Sequence, residues 1–301
     1  MGTVVLSIDA ELAWGFHDLA TPPRDRIDGA RAGWLTLLDL LDTHRLPATW
    51  AVVGHLMLED CDGRHADHPA PAHWFPCGDG PGWHAPDLVE AILEARVDHE
   101  LASHTFSHVQ FGADWVTEAV VDAELTRHQE LADQWDVPLE SFVFPRNDVA
   151  FRDRLAANGF SAYRGRKPRR WYERPPIRPF GKGVAAMASS APPAVEPGID
   201  EYGLVNVPAS MDLFGFEGPP KRLLEPFVGD PIVGMTREGV RDVARHGGVL
   251  HGWLHPNNLI SPAAVDRLDA VFSAIAEARD REGLHVATIG ELARKARCHV
   301  A

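Results

Sequence analysis

The chain is poor in cysteine, in positive charge and in long apolar runs, and each scarcity removes a class of protein. Three cysteines, Cys61, Cys77 and Cys298, with no Cys-x-x-Cys pair, are too few for a disulfide scaffold. Cys61 and Cys77 share one loop and could pair, but free thiols are the expectation. No uninterrupted apolar stretch reaches the ~18 residues of a membrane span. The first residues, MGTVVLSIDAELAWG, lack a basic region, and Asp9 and Glu11 break their apolar run, which is unlike a signal peptide. Lysine occurs only at 167, 182, 221 and 295, and the net charge is −14. Nothing here suits nucleic acid, and the charge speaks mainly to solubility. The expectation is a cytoplasmic protein, at most peripheral to a membrane, with no transmembrane segment.

Against these absences stands an ordinary globular composition, 45% hydrophobic and 24% charged over 301 residues. Short β-branched or apolar runs read as strands at Thr3–Ile8, Ala48–Val53, His99–Ala102, Ser141–Phe144, Phe160–Tyr163, Leu204–Val207, Gly248–Trp253 and Val286–Thr288. Helical patterns alternate with them, at Gly29–His44, Asp114–Trp135 and Ala263–Arg281 among others. Alternation of this kind predicts an α/β protein of parallel strands wrapped by helices. The length suits one domain over 1–301, a distorted (β/α) barrel of about seven parallel strands. Two stretches break the pattern, 59–84 and 164–200, and read as loop insertions.

In such a barrel, catalytic groups gather where strands end. Asp9 and Glu11 end the first strand, His104 and His108 follow the third, Arg146 and Asn147 follow Ser141–Phe144, and His251 and His255 lie on or just after a late strand. Asp9 and Glu11 are two apart, so in extended chain they share a face. A lone His-x-x-x-His is weak evidence: with 16 histidines in 301 positions, chance supplies roughly one such pair. What raises His104 and His108 is company: a carboxylate elsewhere in the chain and a position at a strand end. Two imidazoles and one carboxylate leave a fourth position open for water, as hydrolytic zinc requires.

Five segments carry a family resemblance: Leu-Ser-Ile-Asp-Ala-Glu-Leu-Ala-Trp-Gly at 6–15, Ala-Thr-Trp-Ala-Val-Val-Gly-His at 48–55, His-Glu-Leu-Ala-Ser-His-Thr-Phe-Ser-His at 99–108, Phe-Val-Phe-Pro-Arg-Asn at 142–147, and Trp-Leu-His-Pro at 253–256. In this order they resemble the polysaccharide deacetylase (NodB homology) family. The resemblance implies a distorted barrel with one divalent metal, usually zinc, that removes acetyl from an N-acetylated sugar. It implies His104 and His108 as metal ligands, Asp9 as catalytic base, Arg146 as the residue that holds Asp9, and His255 as general acid. Many members have two adjacent aspartates in the first motif, where this chain has Ala10 after Asp9. Glu11 is the substitute ligand, and the roles of Asp9 and Glu11 are exchangeable at this stage. Trp14 and Asn147 are expected to face the substrate, a backbone N–H near Asn147 serving the oxyanion.

The insertions also bear on binding. Trp74 and Trp83, in the first, would stack on a sugar beneath a lid, although a plain surface excursion fits equally well. The basic run 164–174, with Arg169 and Arg170, reads as a solvated loop or as a clamp for phosphate. The clamp would suit an N-acetylated sugar linked to a nucleotide or a lipid diphosphate. Two other readings are hydrolysis of a non-sugar amide or ureide on the same barrel, and a catalytically silent carbohydrate-binding relative.

Overall fold

The structure is a computed structural model, and it describes residues 2–61, 63, 65–75, 82–168, 191–215 and 229–298. Arg169 and Arg170 lie outside these residues, as does Cys77. Among the described residues ten strands form one sheet: β1 (Thr3–Ala10), β2 (Thr49–Val52), β3 (Glu100–Ser103), β4 (Ser141–Val143), β5 (Ala162–Gly165), β6 (Gly198–Ile199), β7 (Val205–Pro208), β8 (Met211–Asp212), β9 (Val249–Leu254) and β10 (His285–Ala287). Their order is β6-β7-β5-β4-β3-β2-β1-β9-β8, with β10 paired to the start of β1. Every pairing is parallel except β6 with β7. The sheet curls into a distorted barrel. No strand pairing joins β7 to β8 among the described residues; the chain itself crosses there through Ala209 and Ser210, and Ser210 N donates to His251 O at 2.8 Å.

The strand period divides β1 cleanly. Val4, Leu6, Ile8 and Ala10 join the large core between sheet and helices. Val5, Ser7 and Asp9 face the barrel interior, where Val5 belongs to a small cluster with Ala51, Ala102, Val143, Ala162, Val205 and Val249. These small side chains fill the lower barrel, and Ile289, Leu292 and Ala293 of the last helix plug its base. Asp9, Ser103 and Arg164 lie at or near the C-terminal ends of their strands, above this apolar layer.

Among the described residues there are seven helices, α1 (Arg24–His44), α2 (Pro86–Leu93), α3 (Glu118–Gln134), α4 (Arg152–Ala157), α5 (Pro231–His246), α6 (Pro262–Glu282) and the basal α7 (Ile289–Cys298). α4 is only six residues long, starting after Asn147 and Phe151, which both take left-handed backbone. The sequence reading left 208–247 unassigned, and α5 lies there. Its signals are local: Asp230 accepts from Ile232 N at 2.9 Å as N-cap, Pro231 is the first helical residue, and Gly247 ends it. No helix among the described residues is long and apolar enough to cross a membrane.

Candidate metal centre

Glu11, His104 and His108 converge although 97 residues of chain separate the first from the last. One ligand atom from each lies within 4.8 Å of the others, and all three residues are buried. β1 ends at Ala10, and Glu11 turns into a 3₁₀ segment, Leu12–Phe16, that aims its carboxylate at the histidines. Glu11 Oε2 is 3.0 Å from His108 Nε2 and 3.6 Å from His104 Nε2. His104 follows β3 directly. Its Nδ1 lies 2.7 Å from the carbonyl of Val143 on β4. A carbonyl only accepts, so Nδ1 carries the proton and Nε2 presents a lone pair to Glu11. His104 Nε2 and both ring nitrogens of His108 are buried without a hydrogen-bond partner. Two orphaned imidazoles beside a carboxylate fit a divalent metal ligand set, since buried polar atoms otherwise demand partners.

Asp9 lies beside this group but is held differently. Arg164, at the end of β5, donates from both terminal nitrogens to both carboxylate oxygens, at 2.5 and 2.7 Å. Arg164 also donates to Ser7 Oγ at 3.1 Å and to Asn147 Oδ1 at 3.2 Å, and its guanidinium lies over the Trp253 ring. Ser7 Oγ is 2.9 Å from His251 Nε2, and His251 Nδ1 is 3.2 Å from Pro208 O. Burial works to raise the Asp9 pKa, but the charge and hydrogen bonds of Arg164 outweigh it and leave the group below its usual range. Burial opposes ionisation of Glu11 too, and the neighbouring His255, His104 and His108 hold its carboxyl well below the usual value. Burial lowers His251 to about 3, so it is neutral.

His255 closes the group. Its Nε2 is 3.4 Å from Glu11 Oε1 and 3.8 Å from Asp9 Oδ2, and it is the most exposed of these side chains, at 24%. The Trp253 ring meets it edge-on at 5.4 Å. A third carboxylate, Asp212 on β8, is raised by burial and by the charge of Asp9.

Several expectations need correction. Arg146 does not hold Asp9. It donates to Asp18 Oδ1 at 2.6 Å and to Gly15 O at 3.2 Å, and Arg164 takes the expected place. The reason is backbone: Arg146 and Asn147 both have left-handed φ, 52° and 54°, which turns the chain after β4 out of strand geometry. Arg164 opens the run expected to be a solvated loop or a phosphate clamp, yet it is fully buried, and Arg166 pairs with Asp148. Trp14 is fully buried with its N–H on Trp83 O, so it supports Trp83 and is closed to a substrate. Trp74 is nearly buried, its N–H on Ser107 O, and packs on Trp115. Asn147 reaches the site through Arg164. Ser7, Arg164, Asp212 and Trp253 were missed. Arg164 had a legible signal: two residues after Ala162 on a parallel strand, it had to share the inner face with it.

The polysaccharide deacetylase family model matches residues 28–150. That stretch contains His104 and His108 but not Asp9, Glu11, Arg164 or His255. No curated protein matches the sequence. Among solved structures, a presumed polysaccharide deacetylase from Mycobacterium smegmatis is similar at TM-score 0.62 and 19% identity, over 99% of this chain and 90% of that one. A Puue allantoinase is similar at TM-score 0.62 and 14% identity, over 97% and 89%. A presumed polysaccharide deacetylase from Pseudomonas aeruginosa PAO1 follows at TM-score 0.60 and 12% identity, over 97% and 89%. At such identities the structures show the fold. The resemblance to NodB-like polysaccharide deacetylases is supported on both counts, by the family model over 28–150 and by the fold over nearly the whole chain. The chain thus resembles polysaccharide deacetylases over 28–150 and shares its fold with them, and Glu11, His104 and His108 form a group that could hold a metal ion.

Proposed function

We propose that this chain is a metal-dependent N-deacetylase acting on an amino sugar of a glycan or glycan precursor. The observation that carries the reading is the convergence of Glu11, His104 and His108, with their orphaned ring nitrogens, beside the Asp9–Arg164 pair and His255. Glu11, His104 and His108 would hold the metal, and Zn²⁺ suits two nitrogens and one oxygen. Such an ion, when bound, polarises the acyl carbonyl and acidifies water.

The protein's own groups account for the proton movements. Asp9 is the base that takes a proton from the attacking water. Arg164 keeps it ionised and fixes its orientation, and Ser7 and His251 in turn fix Arg164. Water oxygen adds to the acyl carbon, the carbon–nitrogen bond breaks, and the leaving nitrogen needs a proton. His255, partly open to solvent and within 4 Å of both carboxylates, supplies it. Half-buried Trp83 and Trp253 offer apolar surface at the mouth. A carrier bearing a diphosphate would need Arg169 and Arg170, because Arg164 and Arg166 are already paired with carboxylates.

A second reading is hydrolysis of a cyclic amide or ureide, suggested by the allantoinase among the structural neighbours. One assay separates them. Zinc-loaded protein is offered N-acetylated sugars, free and linked to nucleotide or lipid diphosphate, and in parallel allantoin and related cyclic amides. Acetate release supports deacetylation, ring opening without acetate supports the second reading, and neither, with zinc bound, points to a silent carbohydrate-binding relative.

A further inference from the structure

Glu124 and His128 stand four residues apart on α3, on one helix face and one turn apart. Both are fully buried. They face Ser107 and Ser103, also four apart, which frame the metal-ligand segment. Glu124 accepts from Ser107 N at 2.8 Å and from Ser107 Oγ at 2.6 Å. His128 Nδ1 is 2.8 Å from Ser103 Oγ, which also accepts from Thr105 N. The remaining polar group of Ser107, its carbonyl, accepts from the indole of Trp74 at 2.9 Å. His68 covers the far side of Glu124, its Nε2 at 3.2 Å from Oε1. Because Ala70 N donates to His68 Nδ1, the ring proton sits on Nε2, close to the carboxylate but outside hydrogen-bond geometry.

This grip falls on backbone that does not hold its own shape. Thr105 and His108 have left-handed φ, 64° and 61°, a conformation that non-glycine residues keep only when surroundings enforce it. His108, the second ligand, is itself one of the two, and the residue before it is Ser107. His68 and Trp74 come from the first insertion, which thus meets the backbone next to His108 through Ser107 and Glu124.

We propose that Glu124 is a positioning residue of the metal centre: with His68 and Trp74 of the first insertion it locks Ser107 and thereby sets His108 in its ligating conformation. The proposal rests on the metal-centre part of the function above and not on the substrate. Metal affinity and the order of the segment around His68 and Trp74 are then linked, so that each strengthens the other.

The test is Zn²⁺ affinity by competition with a chromogenic chelator, alongside the melting temperature of the metal-free protein. Glu124→Ala should bind Zn²⁺ 10–100-fold more weakly, the usual loss on removing a partner behind a ligand. Glu124→Gln, which keeps an oxygen for Ser107, should lose less. Leu131→Ala is the control: it is buried on α3, seven residues or about 10 Å along the helix from Glu124, and should lower the melting temperature while leaving Zn²⁺ affinity within twofold. If Glu124→Ala does not fold, Ser107→Ala and Trp74→Phe each remove one hydrogen bond and should each weaken Zn²⁺ several-fold. Affinity within twofold of wild type in these variants overturns the proposal, as does an equal loss in Leu131→Ala. A wild-type protein that binds no Zn²⁺ overturns the metal-centre reading and this proposal together, whereas unchanged variants of a zinc-binding wild type overturn this proposal alone.

Discussion

Replacing Arg164 by methionine removes a buried cation and leaves an unbranched apolar stem two atoms shorter. In the folded protein its side chain is inaccessible, Asp9 is 4% exposed, and the pair is bidentate at 2.5 and 2.7 Å. Removing one partner of a buried ion pair leaves the other charge unsolvated, at a cost of about 3–5 kcal/mol. Ser7 Oγ and Asn147 Oδ1 lose a donor as well. The penalty should depend on pH in a defined direction. Without Arg164, burial, the largest influence on Asp9, is opposed only by the smaller effects of His104 and His255, and the pKa rises above the unfolded value. The folded variant then binds a proton that the unfolded chain has released, and its stability falls as pH rises through that window. In wild type the pKa is lowered, and the pair's contribution is lost as pH falls. Urea unfolding of metal-free Arg164→Met should therefore show the full ~3–5 kcal/mol loss at pH 8 and a smaller one at pH 5. The double variant Asp9→Asn/Arg164→Met should recover part of it. A loss below ~1 kcal/mol at pH 8, typical of a screened surface pair, would refute the argument, as would a double variant no more stable than Arg164→Met.

Other consequences follow from the same geometry. Arg146→Ala should leave the pH dependence of unfolding attributed to Asp9 unchanged, because Arg146 binds Asp18 and Gly15; a change like that of Arg164→Met would restore the sequence-based assignment. His104→Ala and Glu11→Ala should each abolish stoichiometric zinc in purified protein, read by elemental analysis; zinc retained at wild-type affinity in either speaks against the ligand set. Burial lowers His55 and His99 to about 4 and His128 and His251 to about 3. The unfolded chain takes up these protons near pH 6.5 and the folded one does not, so stability is full above that and falls as pH drops, by up to ~1.4 kcal/mol per pH unit per group; an unfolding free energy flat from pH 7 to 5 contradicts this. Gly33 of α1 lies against the turn after His255, where an added Cβ would stand 2.2 Å from Pro256 O. Gly33→Ala should cost about 1–3 kcal/mol and disturb His255; a variant as stable as wild type would mean that the turn yields freely.

The alternation of short apolar runs with helical stripes was enough to read the parallel barrel, because burial on both faces of a strand leaves a mark in local composition. The ends of β1 and β3 were legible for the same reason: Asp9, Glu11 and His104 interrupt apolar runs and have to face something polar. The helix α5 could have been read from Asp230, Pro231 and Gly247, whose signals are local. Which arginine meets Asp9 could not. Arg146 follows a strand end and so does Arg164, and the choice turned on two left-handed residues that divert one of them and on a strand register that aligns the other. Likewise, nothing in Glu124 or Ser107 alone marks a partner 17 residues away. Sequence determined the elements and the residue types at their ends, because those follow from near-neighbour periodicity. Only the tertiary structure decided the pairings, because a buried charge is matched across strands by distance and direction, which the linear order does not record.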